Sequence, residues 1–406
     1  MSVASMCELL QIDHAGIRSR ERRLVQGNEA ICEGGIAAGV RYYAGYPITP
    51  CTEIAEHMAK RQPQVGGVYL QMEDEIGSIH SVIGASLSGV KSMTATAGPG
   101  ISLMQDGIGW TQVEEVPALI VNAQRAGPGL GNATRSGQMD VMQARWGPNG
   151  DRGVICLAPS NVEECFWVTF KAMNLAERLR TGVLVLSEGL SGHMRQVIDV
   201  PDYETLPIEN RPSVEGLVER DLEHLYDGTM TEILPFAAFG SGYRSNNGNW
   251  TETTDGHYPH PLHGLVRQDY EIRRLHEKIE SRRDQVTFYE AINTDDAEFL
   301  LVAFGTQALT ALYAMEKARA AGLRVGVLKL VTLWPFPEEA LRTAAAHASI
   351  VIVPEMNLGQ VRLEVERVLR NHPAEIKGVN HVDSQTITPA EILDLLPLKT
   401  PVLQEA

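Results

Sequence analysis

Three consecutive carboxylates, Glu73, Asp74 and Glu75, separate an apolar run, Val68-Tyr69-Leu70, from a stretch holding the small residues Gly77, Ser78, Ser81, Gly84 and Ala85. Acidic residues at a helix start ordinarily complement its exposed N–H groups and its dipole. A helix so poor in bulk also lets a second backbone or a flat ligand come close. Three other places could do chemistry. Thr49 lies between Pro47 and Pro50, on a turn stiffened because each proline fixes its own φ and restricts its predecessor. It either caps the next helix or offers a hydroxyl to a substrate; for Thr52 the cap is expected. Gly98 and Gly100 flank Pro99, as a phosphate cradle or as a plain strand-to-helix turn. Arg125 follows an apolar strand and precedes Ala126-Gly127-Pro128-Gly129. In an open α/β sheet that is where an anion site belongs, the plain alternative being a surface ion pair.

These residues need a scaffold that gathers strand ends. From residue 24 onward, strand-like runs at 42–46, 68–70, 91–96, 117–123, 153–157 and 183–187 alternate with helix-like stretches. The helices fall at 30–39, after Thr52, after Glu75, through Met104 and Ile108, within 137–147, and at 160–179, where Ser160 and Glu163 fit a capping box. Such alternation predicts a parallel, doubly wound α/β domain. A second series runs 299–304, 325–330 and 349–353, with helices between and Leu333-Trp334-Pro335-Phe336-Pro337 breaking the chain. The expected division is an arm at 1–22, a first domain at 23–195, an irregular, proline-containing connector at 196–296 and a second domain at 297–406. The charge run at 267–283 reads as a solvated face.

The totals set limits. With 406 residues the chain is long enough for two or three full cores. A net charge of −16 argues against binding nucleic acid through a basic face. No apolar run approaches the ~20 residues of a membrane span, and the first residues lack a signal-peptide core, so a cytoplasmic location is expected. The five cysteines, Cys7, Cys32, Cys51, Cys156 and Cys165, form no CxxC pair. A four-cysteine cluster or zinc site within the chain is therefore not expected, and reduced thiols are.

Five motifs in order carry a resemblance: Tyr46-Pro47-Ile48-Thr49-Pro50, Gln71-Met72-Glu73-Asp74-Glu75, 94–100, Gln124-Arg125-Ala126-Gly127-Pro128 and 140–147. Over 24–195 and 297–395 the chain resembles the α subunit of 2-oxoacid:ferredoxin oxidoreductases. Two departures stand out: Cys51 occupies a position where serine is usual, and 240–262 fits the family pattern poorly. The resemblance implies a pyrimidine-binding domain of the thiamine-diphosphate enzymes and a transketolase-like C-terminal domain. It implies that Glu75, nine positions before Gly84, contacts N1′ of the aminopyrimidine ring and favours its imino tautomer; Glu73 is the competing residue. Thr49 and Arg125 become candidates for the 2-oxoacid carboxylate, and Gly98 and Gly100 for the cofactor.

The implied reaction is oxidative decarboxylation of a 2-oxoacid, expected to be 2-oxoglutarate, to an acyl-coenzyme A, with electrons passing through iron–sulfur clusters to ferredoxin. The implied partner is a β subunit holding the diphosphate, Mg²⁺ and at least one [4Fe–4S] cluster, with further small iron–sulfur subunits possible. An aryl or branched-chain 2-oxoacid, such as phenylglyoxylate, is the alternative substrate. A non-catalytic assembly subunit and a self-sufficient homomeric decarboxylase are the alternative roles.

Overall fold

The computed structural model describes residues 3–214, 231–242 and 264–398. The first sheet contains β2 (Tyr42–Gly45), β3 (Val68–Gln71), β4 (Ser92–Thr96), β5 (Ala118–Ala126), β7 (Ile155–Leu157) and β8 (Gly182–Glu188). They run parallel in the order β7-β8-β5-β4-β2-β3, and β6 (Asn132–Ser136) pairs antiparallel with the end of β5. Outside it, β1 (Ser19–Gln26) and β9 (Arg195–Pro201) form an antiparallel ribbon. The second sheet has β11 (Phe299–Phe304), β12 (Val325–Leu330), β14 (Ile350–Glu355) and β15 (Glu375–Asn380) parallel, with β10 (Tyr289–Ile292) antiparallel at one edge. The expected α/β class is met.

Central strands alternate their side chains between two layers. Leu119, Val121, Val183 and Val185 pack with Phe166 and Phe170 of the helix Val162–Leu179 and Ile31 of the helix Gly27–Ala37. Ile120, Leu184 and Leu186 instead share a core with Leu300, Val302 and Phe304 of β11 and Leu328 and Leu330 of β12. The period of two along each strand thus serves both layers. The other face of the second sheet, Leu301, Ala303 and Val327, packs on Ala311 and Met315 of the helix Gly305–Ala320. The two α/β units therefore share one apolar layer.

Several expectations change at this level. The stretch 1–22 is not merely an arm: the helix Val3–Leu9 buries Met6 and Cys7, followed by Leu10, against the first core. Leu333 and Trp334 do more than break the chain, since β13 (Thr332–Trp334) pairs antiparallel with β7 and completes the edge of the first sheet. Trp334 Nε1 donates to Val141 O at 2.9 Å. The second sheet begins at β10, inside the stretch expected to be connector.

The charge run is a solvated face only in part: Asp269, Arg273 and Glu277 are exposed, but the opposite side is buried. In the helix Gly264–Glu280, Arg274, Lys278 and Glu271 are buried, and Arg274 and Lys278 each reach Glu115 at 2.7 Å. A counter-charge far away in sequence makes this burial tolerable. Caps shift as well: Cys51, not Thr52, is the N-cap of Thr52–Arg61, and Asn161, not Ser160, caps Val162–Leu179 by accepting from Glu164 N. Among the described residues no helix is long and apolar enough to cross a membrane.

Candidate active site

The three carboxylates at the start of the helix Glu75–Leu87 have three fates. Glu73 is exposed. Asp74 is the N-cap, its Oδ1 accepting from Gly77 N at 2.7 Å. Glu75 is only 5% exposed and accepts a hydrogen bond from Thr96 Oγ1 at 3.3 Å. Thr96 ends β4, and the next helix, Gly98–Leu103, brings Gly100 against the pair. A Cβ on Gly100 would stand 1.9 Å from Thr96 Oγ1 and 2.5 Å from Glu75 Oε1. Glycine is required there by the approach of the carboxylate. Gly98 and Gly100 thus lie in the first turn of a helix rather than in a free glycine turn. Of the small residues after Glu75, Gly84 provides no close approach, since a Cβ there would meet nothing within 4 Å, whereas one on Gly77 would stand 3.3 Å from Met72 Cε.

Arg125 is buried at the end of β5. Its Nη1 donates to Thr49 O at 2.9 Å and its Nη2 to Leu130 O at 3.0 Å, while Nε has no hydrogen-bond partner. The guanidinium therefore braces two loops and keeps donors in reserve. Thr49 meets it through its carbonyl oxygen, with an exposed side chain. Cys51 lies within the electrostatic reach of both Glu75 and Arg125, and burial pushes its thiol up to about 12.

Gly98 and Arg125 line a cleft of about 620 Å³. Asp140 also lines it, accepting from Asn122 Nδ2 at 2.9 Å. Burial raises the Asp140 carboxyl above its ordinary range, against the pull of the Asn122 hydrogen bond and the Arg125 charge. The opposite wall comes from the second unit through Asn357, Leu358 and Gln360. Gln138 and Gln360 fix the two walls together. Gln138 Nε2 donates to Glu188 Oε1 at 2.8 Å and to Phe304 O at 3.1 Å, and Gln360 Nε2 donates to Met139 O at 2.6 Å. Glu188, fully buried at the end of β8, also accepts from Thr306 N at 2.9 Å. Burial raises its carboxyl, opposed by these hydrogen bonds.

Glu75, Thr49, Arg125, Gly98 and Gly100 thus lie at the C-terminal ends of β2, β3, β4 and β5, where ligand crevices of such sheets lie, but of the five only Gly98 and Arg125 line the cleft. Residue type and spacing give no role to Thr96, Asn122, Asp140 or Gln138. Thr96 and Asp140 belong to the quoted motifs, and that was their one signal. A buried carboxyl with one oxygen held by a hydroxyl can hold or move a proton at a ligand nitrogen. Among the described residues no three His, Cys, Asp or Glu side chains gather to hold a metal, and the five cysteines are buried and unpaired.

Two joined α/β units with a buried carboxylate at a helix start, at the strand ends, suit the class that the family comparisons show, the thiamine-dependent enzyme subunits. Residues 33–232 match the family described as pyruvate flavodoxin/ferredoxin oxidoreductase, thiamine diP-binding, and residues 297–392 match pyruvate:ferredoxin oxidoreductase core domain II. The 2-oxoglutarate synthase subunit KorA of Methanothermobacter thermautotrophicus is 42% identical over 93% of this chain and 98% of its own length. Its counterpart in Methanocaldococcus jannaschii is 42% identical over 91% of this chain and 97% of its own length. The chain belongs to the 2-oxoacid:ferredoxin oxidoreductase family, as an α subunit of that multi-subunit enzyme.

A solved 2-oxoglutarate:ferredoxin oxidoreductase from Magnetococcus marinus, with 2-oxoglutarate, coenzyme A and succinyl-CoA bound, superposes with a TM-score of 0.82 at 31% identity. That match covers 92% of this chain and 64% of the solved chain, so this chain spans less than two thirds of that one. A split-gene transketolase, at 12% identity and a TM-score of 0.50, shares the fold alone.

Proposed function

We propose that this chain supplies the aminopyrimidine side of a thiamine-diphosphate site that a partner β subunit completes, and that the complex converts 2-oxoglutarate to succinyl-coenzyme A with ferredoxin as electron acceptor. The observation that carries this reading is the buried Glu75 carboxyl, bonded on one oxygen by Thr96 and set over a glycine that no side chain could replace. The residues fit the group: Glu75 has a second oxygen to offer to a ring nitrogen, and Gly100, having no side chain, lets Thr96 and the Glu75 carboxyl pack against the helix start that positions them. When bound, thiamine diphosphate supplies an electron sink for decarboxylation. Glu75 holds or returns a proton at the aminopyrimidine nitrogen, with Thr96 fixing its orientation. Arg125, steadied by the carbonyls of Thr49 and Leu130, presents its remaining donors to the 2-oxoacid carboxylate.

The partner is supported by the edge of the first sheet. β3 is its terminal strand, yet Val68 is 49% and Leu70 42% exposed. Ile76, next to Glu75, is also exposed. An uncovered apolar edge beside the key carboxyl suits a covering subunit. The reading places the diphosphate, Mg²⁺ and [4Fe–4S] clusters on partner subunits. 2-Oxoglutarate is favoured because relatives named for it reach 42% identity, whereas the ketoisovalerate oxidoreductase subunit VorB of M. thermautotrophicus reaches 32%.

The test is Glu75→Gln in the co-expressed complex, assayed by coenzyme A-dependent viologen reduction with a panel of 2-oxoacids. Assembly should persist while activity falls by about 10²–10⁴-fold. Full activity would mean an assembly role instead. Faster turnover of 2-oxoisovalerate or phenylglyoxylate by the unaltered complex would reassign the substrate.

A further inference from the structure

At the other end of the first sheet, beside Gly153 and Thr181, which precede β7 and β8, lies a second cavity of about 360 Å³. It shares no lining residue with the cleft at Arg125. Two buried polar groups on its wall are incompletely bonded. Gln112 is 5% exposed, and neither its Nε2 nor its Oε1 has a hydrogen-bond partner. Arg152 is 8% exposed; its Nη2 donates to Ala144 O at 3.1 Å, but its Nε has no partner. Burial and the charge of Arg145 lower the Arg152 guanidinium to about 10, and no carboxylate offsets them.

A buried cation without a counter-charge and an amide without partners are both unfavourable in a closed interior. Both are relieved by an anion whose oxygens accept from them. The neighbouring Lys278 is already paired with Glu115 at 2.7 Å, so Arg152 is the cation in need. The other walls include Trp110 and Leu275, a surface for hydrocarbon. Asp106 and Asp151, also on the lining, oppose any anion, and one of higher charge such as phosphate or a nucleotide more strongly than a monoanion.

We propose that this cavity is an accessory binding site for a short-chain monocarboxylate, its carboxylate taking hydrogen bonds from Arg152 Nε and Gln112 Nε2 and its carbon chain lying against Trp110 and Leu275. The site stands apart from the Glu75 chemistry and does not rest on the functional reading above.

The test is a fluorescence titration of the full chain with sodium butyrate, against sodium chloride and sodium phosphate at matched ionic strength. Butyrate should give a saturable change in tryptophan emission that disappears in Trp110→Phe. Gln112→Met keeps the volume and gives up no hydrogen bond, so it should fold normally and weaken butyrate by about tenfold or more. Arg152→Lys should weaken it as well, and Arg125→Met should leave the titration unchanged. A linear response, an equal response to chloride, or saturation that survives both Gln112→Met and Arg152→Lys overturns the site. Phosphate binding as tightly as butyrate overturns the ligand class.

Discussion

A single methyl group at position 100 tests how closely Glu75 is held. Gly100→Ala places a carbon inside contact distance of both Thr96 and the Glu75 carboxylate. The overpacking should cost about 1–3 kcal/mol in a denaturant melt and displace the carboxyl, with loss of dye reduction in the assembled complex. Thr96→Val removes the hydroxyl that donates to Glu75 and should cost about 1–3 kcal/mol, again with impaired turnover. A second residue, Glu33, gives the pH dependence a sign. Burial alone would raise its carboxyl, but hydrogen bonds and charge from His57 and Arg61 outweigh that and hold it at about 2, against 4.5 ordinarily. Its stabilisation is therefore complete above about pH 4.5 and is lost as pH falls from there towards 2, on the order of 3 kcal/mol in all. Denaturation of the wild type and Glu33→Gln at pH 6 and pH 3 should show the gap between them shrinking at the lower pH; an unchanged gap counts against this account. Of the site, Glu75 was legible because a carboxylate beside a second capping acid has a spacing to read. Thr96 was not, because nothing local says that its hydroxyl faces residue 75.

Elements built from local pattern were the readable ones. β5, β8, β11 and β12 are apolar runs buried on both faces, the mark of strands covered by two layers. The helix Gly264–Glu280 was misread because its counter-charge, Glu115, lies outside any window that periodicity can survey. That ion cluster gives a prediction at its own scale. Glu115→Gln leaves Arg274 and Lys278 short of a partner and should destabilise by about 3–5 kcal/mol. Replacing Glu115, Arg274, Lys278 and also Glu271, which pairs with Arg274 at 2.9 Å, together with apolar residues of similar volume should recover much of that loss, as measured by denaturant midpoint. Equal losses in both variants would show that packing, not charge, holds the helix. The cap moved by one residue: Ser160 and Asn161 are both competent caps, and it is Asn161 whose side chain accepts from Glu164 N, while the Ser160 hydroxyl is left without a partner.

For the whole molecule, the shared layer between β5, β8, β11 and β12 means that neither α/β unit is covered without the other. Calorimetry of the chain should show one cooperative transition, and a chain ending before Tyr289 should fail to fold; two separate transitions would contradict the shared core. The exposed edge of β3 makes a complementary prediction about assembly. Leu70→Glu should leave the melting temperature of the isolated chain nearly unchanged while size-exclusion chromatography loses the complex with the covering subunit proposed above. The strand Thr332–Trp334 extends this to the order of biosynthesis. β7 emerges from the ribosome long before its antiparallel neighbour exists, and at about 5–20 residues per second the wait is on the order of ten seconds or more. Throughout that interval the nascent first sheet has a raw margin, which binding factors at the tunnel exit could shield until translation reaches Trp334.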